Sequence, residues 1–254
     1  MLKKYLSTLL LIVSCVFIVR AQHKSTYVIV HGAWGGTWQF KNTSKLLQDA
    51  GHTVYRASLT GLGDRYHLAC KSIDLTTHVK DVVNLILFED LRDVILVGHS
   101  YGGMVITAVA DSLSEHIKRM VYLDAIVPSD GESVFDALRG GAADSRDERE
   151  VDRVDFLVPV WVKDTTVFPR DVPHPIGTFK ERVSLKNADR LKIPTSYILT
   201  YEPDKGGMLK DDFYKFYQKA EGYHWNLVTL EASHNPQIDK LDDLVKILLK
   251  ESEK

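Results

Sequence analysis

From residue 26 onward the chain alternates short continuous apolar runs with longer amphipathic stretches, and few architectures accept that order. The segments "TYVIVHG", "TVYRASL", "DVILVGHS", "IKRMVYLDAIVP", "IPTSYILTYEPD" and "HWNLVTLEASH" read as strands. Between and after them, "TWQFKNTSKLLQDAGH", "LTTHVKDVVNLILFED", "GGMVITAVADSLSE", "MLKDDFYKFYQKAEG" and "QIDKLDDLVKILLKESEK" carry apolar residues at helical spacing. The first of these helices closes on Gly51, and the second is expected to present Val79, Val82, Val83, Ile86 and Leu87 on one face. A strand that is apolar at nearly every position must be covered on both faces. Alternation with helices then implies an α/β fold with a parallel sheet between two helical layers.

Three stretches depart from this rhythm. The first is the N-terminus, "MLKKYLSTLLLIVSCVFIVRAQ", with Lys3 and Lys4 ahead of an apolar run from about Leu6 to Val19. The run is shorter than the roughly 18–20 residues a membrane span needs. Small or aliphatic residues at Val19 and Ala21 suit a cleavage site, so residues 1–21 read as an export leader, with a periplasmic or secreted mature chain that has no stable membrane span. A lipoprotein signal at Cys15 is the alternative reading. Once the leader is removed, Cys70 is the only cysteine, so the domain from 22 to 254 must rely on its core rather than a disulfide. The second departure is the span from about 129 to 190. It is rich in proline and charge, and it reads as a partly helical lid inserted over one end of the sheet. The third is "TGLGDR", a turn after a strand, which lacks the lysine ending of a phosphate loop. With a net charge of −2, the chain has no basic field that would point to nucleic acid. No heptad seam argues for an oligomer, so the oligomeric state stays open.

Chemistry enters at Gly98-His99-Ser100-Tyr101-Gly102, a G-x-S-x-G between a strand and a helix. A turn that sharp strains the serine backbone and lifts its oxygen clear of the sheet. The flanking glycines spare a clash, and the helix N-terminus favours negative charge nearby. A serine hydroxyl needs a base. His234, after the last strand, reaches the same sheet edge in a parallel fold. His99 adjoins the serine and points elsewhere, and His31 shapes the turn after its own strand. The base needs a carboxylate to orient it. Asp204 is preferred, Asp124 is the alternative, and Glu202 is a third choice. An oxyanion needs two N–H donors, expected from Tyr101 and from Ala33 in the glycine-rich loop "HGAWGG". Trp34, Trp38, Tyr101, Trp161 and His174 are candidates for the substrate pocket.

Taken together and in this order, "YVIVHGAWGGTWQF", "TGLGDR", "VILVGHSYGGMVI", "VYLDAIVP" and "SHNPQ" resemble the α/β-hydrolase superfamily, and within it bacterial carboxylesterases related to the plant methyl-esterase and hydroxynitrile-lyase branch. The resemblance implies a mostly parallel eight-stranded sheet, a helical lid and no cofactor or metal. It carries the nucleophile onto Ser100, the base onto His234, the acid onto Asp204 and the oxyanion donors onto Ala33 and Tyr101. The lyases of that branch have a threonine and a lysine where this chain has Gly32 and Asn235, which favours ester hydrolysis over cyanohydrin cleavage. The expected substrate is therefore a small carboxylic ester. A lactonase or other activated-carbonyl hydrolase or lyase would use the same residues. A non-catalytic binding protein would normally have lost a member of the triad, and none is lost.

Overall fold

A computed structural model describes residues 24–139 and 154–254. The leader read at residues 1–21, the lipoprotein alternative at Cys15 and the charged centre of the insertion lie outside the described residues. All six apolar runs form strands of one sheet: β1 (Thr26–Val30), β2 (Thr53–Ala57), β3 (Val94–His99), β4 (Ile117–Leu123), β7 (Thr195–Tyr201) and β8 (Asn226–Glu231). The order is β2-β1-β3-β4-β7-β8 and every pairing is parallel. A separate two-residue hairpin joins β5 (Phe156–Leu157) to β6 (His174–Pro175). Among the described residues the sheet thus has six strands, where the resemblance implies eight. Each apolar run read individually became a strand, and no other described segment joins them.

The sheet separates two cores, and the two-residue period of a strand sorts residues between them. Val28, Val30 and Leu96 face a layer that includes Val82, Ile86, Met104 and Val105. Tyr27, Ile29, Ile95 and Val97 face Phe40, Leu47, Leu244 and Leu248. The first layer holds α2 (Leu75–Phe88), α3 (Gly102–Ser112) and a later helix, α6 (Tyr214–Gly222). The second holds α1 (Lys41–Asp49) and, after the four-residue α7 (Pro236–Asp239), the closing helix, α8 (Leu241–Ser252). A buried aliphatic truncation such as Ile95→Ala in such a core costs about 2–5 kcal/mol.

Local signals set the helix ends. Asp74 opens α2 by accepting the Thr77 N–H at 2.8 Å, and Thr77 completes the reciprocal box. Gly51, at φ 90°, ends α1. The apolar face of α2 is rotated from the one expected. Leu75, His78, Val82 and Ile86 are buried, while Leu87 is 45% exposed. The 78-82-86 row marks the centre of the stripe, and Leu87 lies about 100° around the helix from Ile86.

Residues 129–190 are less helical than expected in their described part. They contain α4 (Val134–Leu138) and α5 (Gly177–Lys180), and little other regular structure beyond the hairpin. Pro159, Pro169, Pro173 and Pro175 interrupt the span between them. The segment is tied to the carboxyl edge of the sheet. Leu157 accepts the Trp34 indole N–H at 2.9 Å, and Val172 donates its N–H to the Trp34 carbonyl at 2.9 Å. No helix among the described residues is long and apolar enough to cross a membrane.

Candidate active site

The chain runs from β1 out to β2, then returns to place β3 on the other side of β1. Such a reversal opens a crevice at the carboxyl ends of the flanking strands. The glycine-rich loop after β1 and the Ser100 turn after β3 meet there. Ser100 has φ 54°, a left-handed conformation that costs a non-glycine residue of order 1 kcal/mol. Its carbonyl accepts the N–H of Gly103 and Ile126, and its own N–H donates to Leu123, so the turn is locked. The flanking glycines are required by close packing. A Cβ on Gly98 would stand 2.7 Å from the Gly102 carbonyl oxygen, and one on Gly102 would stand 2.7 Å from that of Val30.

His234 follows β8 and its Nε2 lies 2.9 Å from Ser100 Oγ. On its far side, Nδ1–H donates to Asp124 Oδ2 at 2.6 Å. Asp124 is fully buried, and its other oxygen accepts the Thr200 N–H at 3.1 Å. It also has a left-handed backbone, φ 43°, which aspartate tolerates better than most residues. The preference for Asp204 over Asp124 is therefore corrected. Asp204 lies in an exposed 3₁₀ turn beyond β7, and Glu202 pairs with Lys205 at 2.9 Å. A signal was available in the sequence. Asp124 is a lone acid inside the apolar run "VYLDAIV", and burying a charge there demands a partner. Asp204 sits among polar, turn-forming neighbours that suit a solvated surface.

The imidazole of His234 is packed by two rings the sequence reading did not assign to it. Phe213 stacks on it with centroids 4.7 Å apart, and His99 lies at 4.8 Å. Phe213 is set by a turn in which Asp211 accepts its N–H at 2.8 Å. Burial, together with the nearby Asp124 charge, raises the Asp211 carboxyl to about 6. The helix read from Met208 in fact starts at Tyr214, and no local pattern marked the turn before it. His99 donates from Nε2 to the His234 carbonyl at 2.8 Å, tying the serine turn to the loop of the base. Burial lowers its pKa to about 3, so it stays neutral.

Ala33 and Tyr101 line the crevice beside Ser100, and neither N–H has a protein acceptor among the described residues. The Tyr101 side chain is drawn downward, its hydroxyl donating to His78 Nδ1 at 2.9 Å. His78 in turn donates from Nε2 to the Thr60 carbonyl at 2.9 Å. His31 donates to the carbonyl of Gly32 at 2.8 Å within its turn. Burial depresses His31 and His78 to about 4 each. His174 lines neither of the cavities beside Ser100, which corrects its assignment as a substrate contact. It is fully buried, accepts the Trp34 N–H at 3.1 Å and packs on Tyr101. Burial holds it neutral as well. Trp34, Trp38 and Trp161 do line the crevice. Cys70 is exposed, with Sγ 3.2 Å from Ser72 Oγ.

Two cavities, of about 170 Å³ and about 410 Å³, adjoin Ser100 among the described residues. The arrangement can pass a proton from a hydroxyl to an imidazole whose other nitrogen is held by a buried carboxylate. It also offers two free N–H groups nearby for developing negative charge.

Known proteins resemble both sequence and fold. The sequence profile described as the alpha/beta hydrolase family matches residues 27–247. A carbendazim hydrolyzing esterase from Nocardioides sp. (strain SG-4G) is 50% identical over 111 residues, covering 44% of this chain and 46% of that protein. An alpha-hydroxynitrile lyase of Arabidopsis thaliana is 33% identical over 110 residues, 42% of each chain. The matches thus span less than half the length of these two curated relatives. Among solved structures, the Arabidopsis methylesterase MES16 superposes with a TM-score of 0.66 at 25% identity, covering 90% of this chain and 99% of its own. An extracellular alpha/beta-hydrolase from a Paenibacillus species gives a TM-score of 0.70 at 23% identity, covering 89% and 98%, and speaks to the fold alone.

Proposed function

The chain belongs to the alpha/beta hydrolase family, and on that premise we propose that it hydrolyses a small carboxylic ester through an acyl-enzyme on Ser100. The observation that carries this reading is the relay from Ser100 Oγ to His234 Nε2 at 2.9 Å and from His234 Nδ1 to Asp124 Oδ2 at 2.6 Å. His234 takes the Ser100 proton as Oγ attacks the ester carbonyl, and Asp124 stabilises the imidazolium that forms. The tetrahedral oxyanion rests on the N–H groups of Ala33 and Tyr101. His234 then protonates the leaving alcohol, and water repeats the sequence on the acyl-enzyme. Phe213 and His99 keep the imidazole from turning away between the two half-reactions. The esterase named among the relatives and the methylesterase among the structural neighbours support an ester substrate. Gly32 and Asn235, where lyases of the related branch have threonine and lysine, support hydrolysis over cyanohydrin cleavage. Residues 129–190 act as a lid over this site, and residues 1–21 as an export leader.

The test is hydrolysis of p-nitrophenyl acetate and butyrate by residues 22–254 and three variants. Ser100→Ala and Asp124→Asn are each expected to lower kcat by about 10³-fold or more, with Asp204→Asn within threefold of the parent. A folded Ser100→Ala protein with parental turnover, or a parent with no ester turnover, would remove the reading.

A further inference from the structure

The two cavities at Ser100 have only four wall residues in common: Ala33, Trp34, Ser100 and His234. Ser100 and His234 are the reacting pair, and Ala33 and Trp34 are neighbours in the glycine-rich loop. Of these four Trp34 has the largest side chain, and it is fixed at several points. Its indole N–H donates to Leu157, its backbone N–H to His174, and its carbonyl accepts from Val172, at 2.9, 3.1 and 2.9 Å. Its φ of 61° is held by these bonds.

The cavities differ in size and in the character of their walls. The smaller is lined mainly by aliphatic and phenyl side chains, among them Ile126, Val134, Leu138 and Phe179, with Asp212 and Lys215 also on its wall. At about 170 Å³ it has room for one ring or a chain of a few carbons, since an apolar cavity of about 150 Å³ holds benzene. The larger, about 410 Å³, is walled by Trp34, Trp38 and Trp161, three of the four tryptophans in the chain. Trp161 is 52% exposed, so it is poorly buried by the protein itself. It is nonetheless held in one place, edge-on to Trp34 at 5.1 Å and 83°, with its indole N–H donating to Asp171 at 2.8 Å. A large, tethered, half-exposed aromatic surface at a cavity mouth is what a flat apolar ligand would cover.

Resting on the reading of Ser100 as nucleophile, we propose that the substrate class is an ester with one compact aliphatic arm and one flat aromatic arm. The aromatic arm lies among the three tryptophans, the aliphatic arm fills the smaller cavity, and Trp34 is the partition that excludes esters bulky on both sides.

The experiment compares the parent with Trp161→Ala and Trp34→Ala on ethyl butyrate, 2-naphthyl butyrate, methyl 2-naphthylacetate and 2-naphthyl decanoate. The two middle esters carry the aromatic arm on the alcohol and the acyl side respectively. For whichever the parent prefers, Trp161→Ala is expected to lower the ratio of its kcat/KM to that of ethyl butyrate at least tenfold, mainly through KM. Intrinsic leaving-group reactivity cancels in that comparison. The parent is expected to hydrolyse 2-naphthyl decanoate at least tenfold less well than the butyrate, and Trp34→Ala to narrow the gap below threefold. An unchanged ratio in Trp161→Ala overturns the aromatic slot. A parent indifferent to acyl length overturns the partition. If Trp34→Ala does not fold, Trp161→Ala, half exposed at the mouth, still decides the slot. Calorimetric titration of Ser100→Ala with 2-naphthyl butyrate separates this inference from the chemistry. Loss of affinity on adding Trp161→Ala supports the slot even if no ester is turned over, and equal affinity with and without Trp161 rejects it.

Discussion

The two edges of the sheet are built on opposite terms. Left-handed backbones occur at both, at Trp34, Ser100 and Asp124 on the carboxyl side and at Asp90, Asp93 and His224 ahead of β3 and β8 on the amino side, but at the carboxyl edge His31 Nε2, His99 Nδ1, Trp38 Nε1, Gln39 Oε1 and Thr200 Oγ1 are also buried without partners. At the amino edge, Glu251 of α8 is buried against three strands. It accepts from Ser196 Oγ at 2.7 Å and Asn226 Nδ2 at 3.3 Å, stands 3.4 Å from Arg119 Nη1, and meets Lys254 at 2.7 Å. There, among the described residues, Arg119 Nε and Ser25 Oγ go unpaired. An unpaired buried polar group costs of order 1–3 kcal/mol, so the carboxyl edge carries the larger deficit and the amino edge supplies stability. The lesson is that unsatisfied polar groups gather around the candidate site, and a distant, well-satisfied network holds the frame that imposes them.

Substitutions at the two edges should separate activity from stability. The largest effect expected is at the carboxyl edge. Ser100→Ala lowers esterase kcat by about 10³-fold or more with its melting temperature nearly unchanged, read by steady-state kinetics and calorimetry. Next is the amino edge. Glu251→Ala leaves Arg119 buried and unpaired and costs about 3–5 kcal/mol in urea unfolding, while kcat per folded molecule stays parental. If Glu251→Ala instead lowers kcat selectively, the edges are not independent.

Acid gives the third test. His31, His78, His99 and His174 are neutral when folded, with pKa values depressed by burial, while the unfolded chain has ordinary histidines near 6.5. The unfolded state therefore binds more protons below pH 6.5. This contribution to stability is fully present above 6.5 and is lost as pH falls from there through about 4. Unfolding at pH 5 should take up as many as about four protons from this group, measured from the slope of unfolding free energy against pH. A flat profile between pH 6.5 and 4.5 would show that these rings are not held neutral. The smallest effect is a gain. Ser100→Gly removes the left-handed penalty and should stabilise the fold by about 1 kcal/mol while abolishing turnover.

Much of this was legible in the chain, for reasons that differ by residue. The six strands and the glycine-flanked serine were readable because each depends on neighbours in sequence: continuous apolar runs, and a turn too tight for side chains at Gly98 and Gly102. His234 was readable because parallel strands send their carboxyl ends to one edge. The acid was misjudged because Asp124 and Asp204 both follow strands, and the choice between them depends on sheet order and on which carboxylate is buried. Phe213, His99 as a tether and the burial of His174 arise from contacts across long stretches of chain, which no local period records.

The placement of the carboxylate on β4 also bears on how the protein can change. Ser100 and Asp124, the proposed nucleophile and acid, sit at the ends of adjacent strands, β3 and β4, joined by backbone pairing rather than by a long loop. The turn after β7 that holds Glu202 and Asp204 thereby carries no reacting group. It can lengthen, shorten or take on new sequence with the relay intact, and is therefore the place where a laboratory, or descent, can graft new surface onto this enzyme scaffold at least risk to its chemistry.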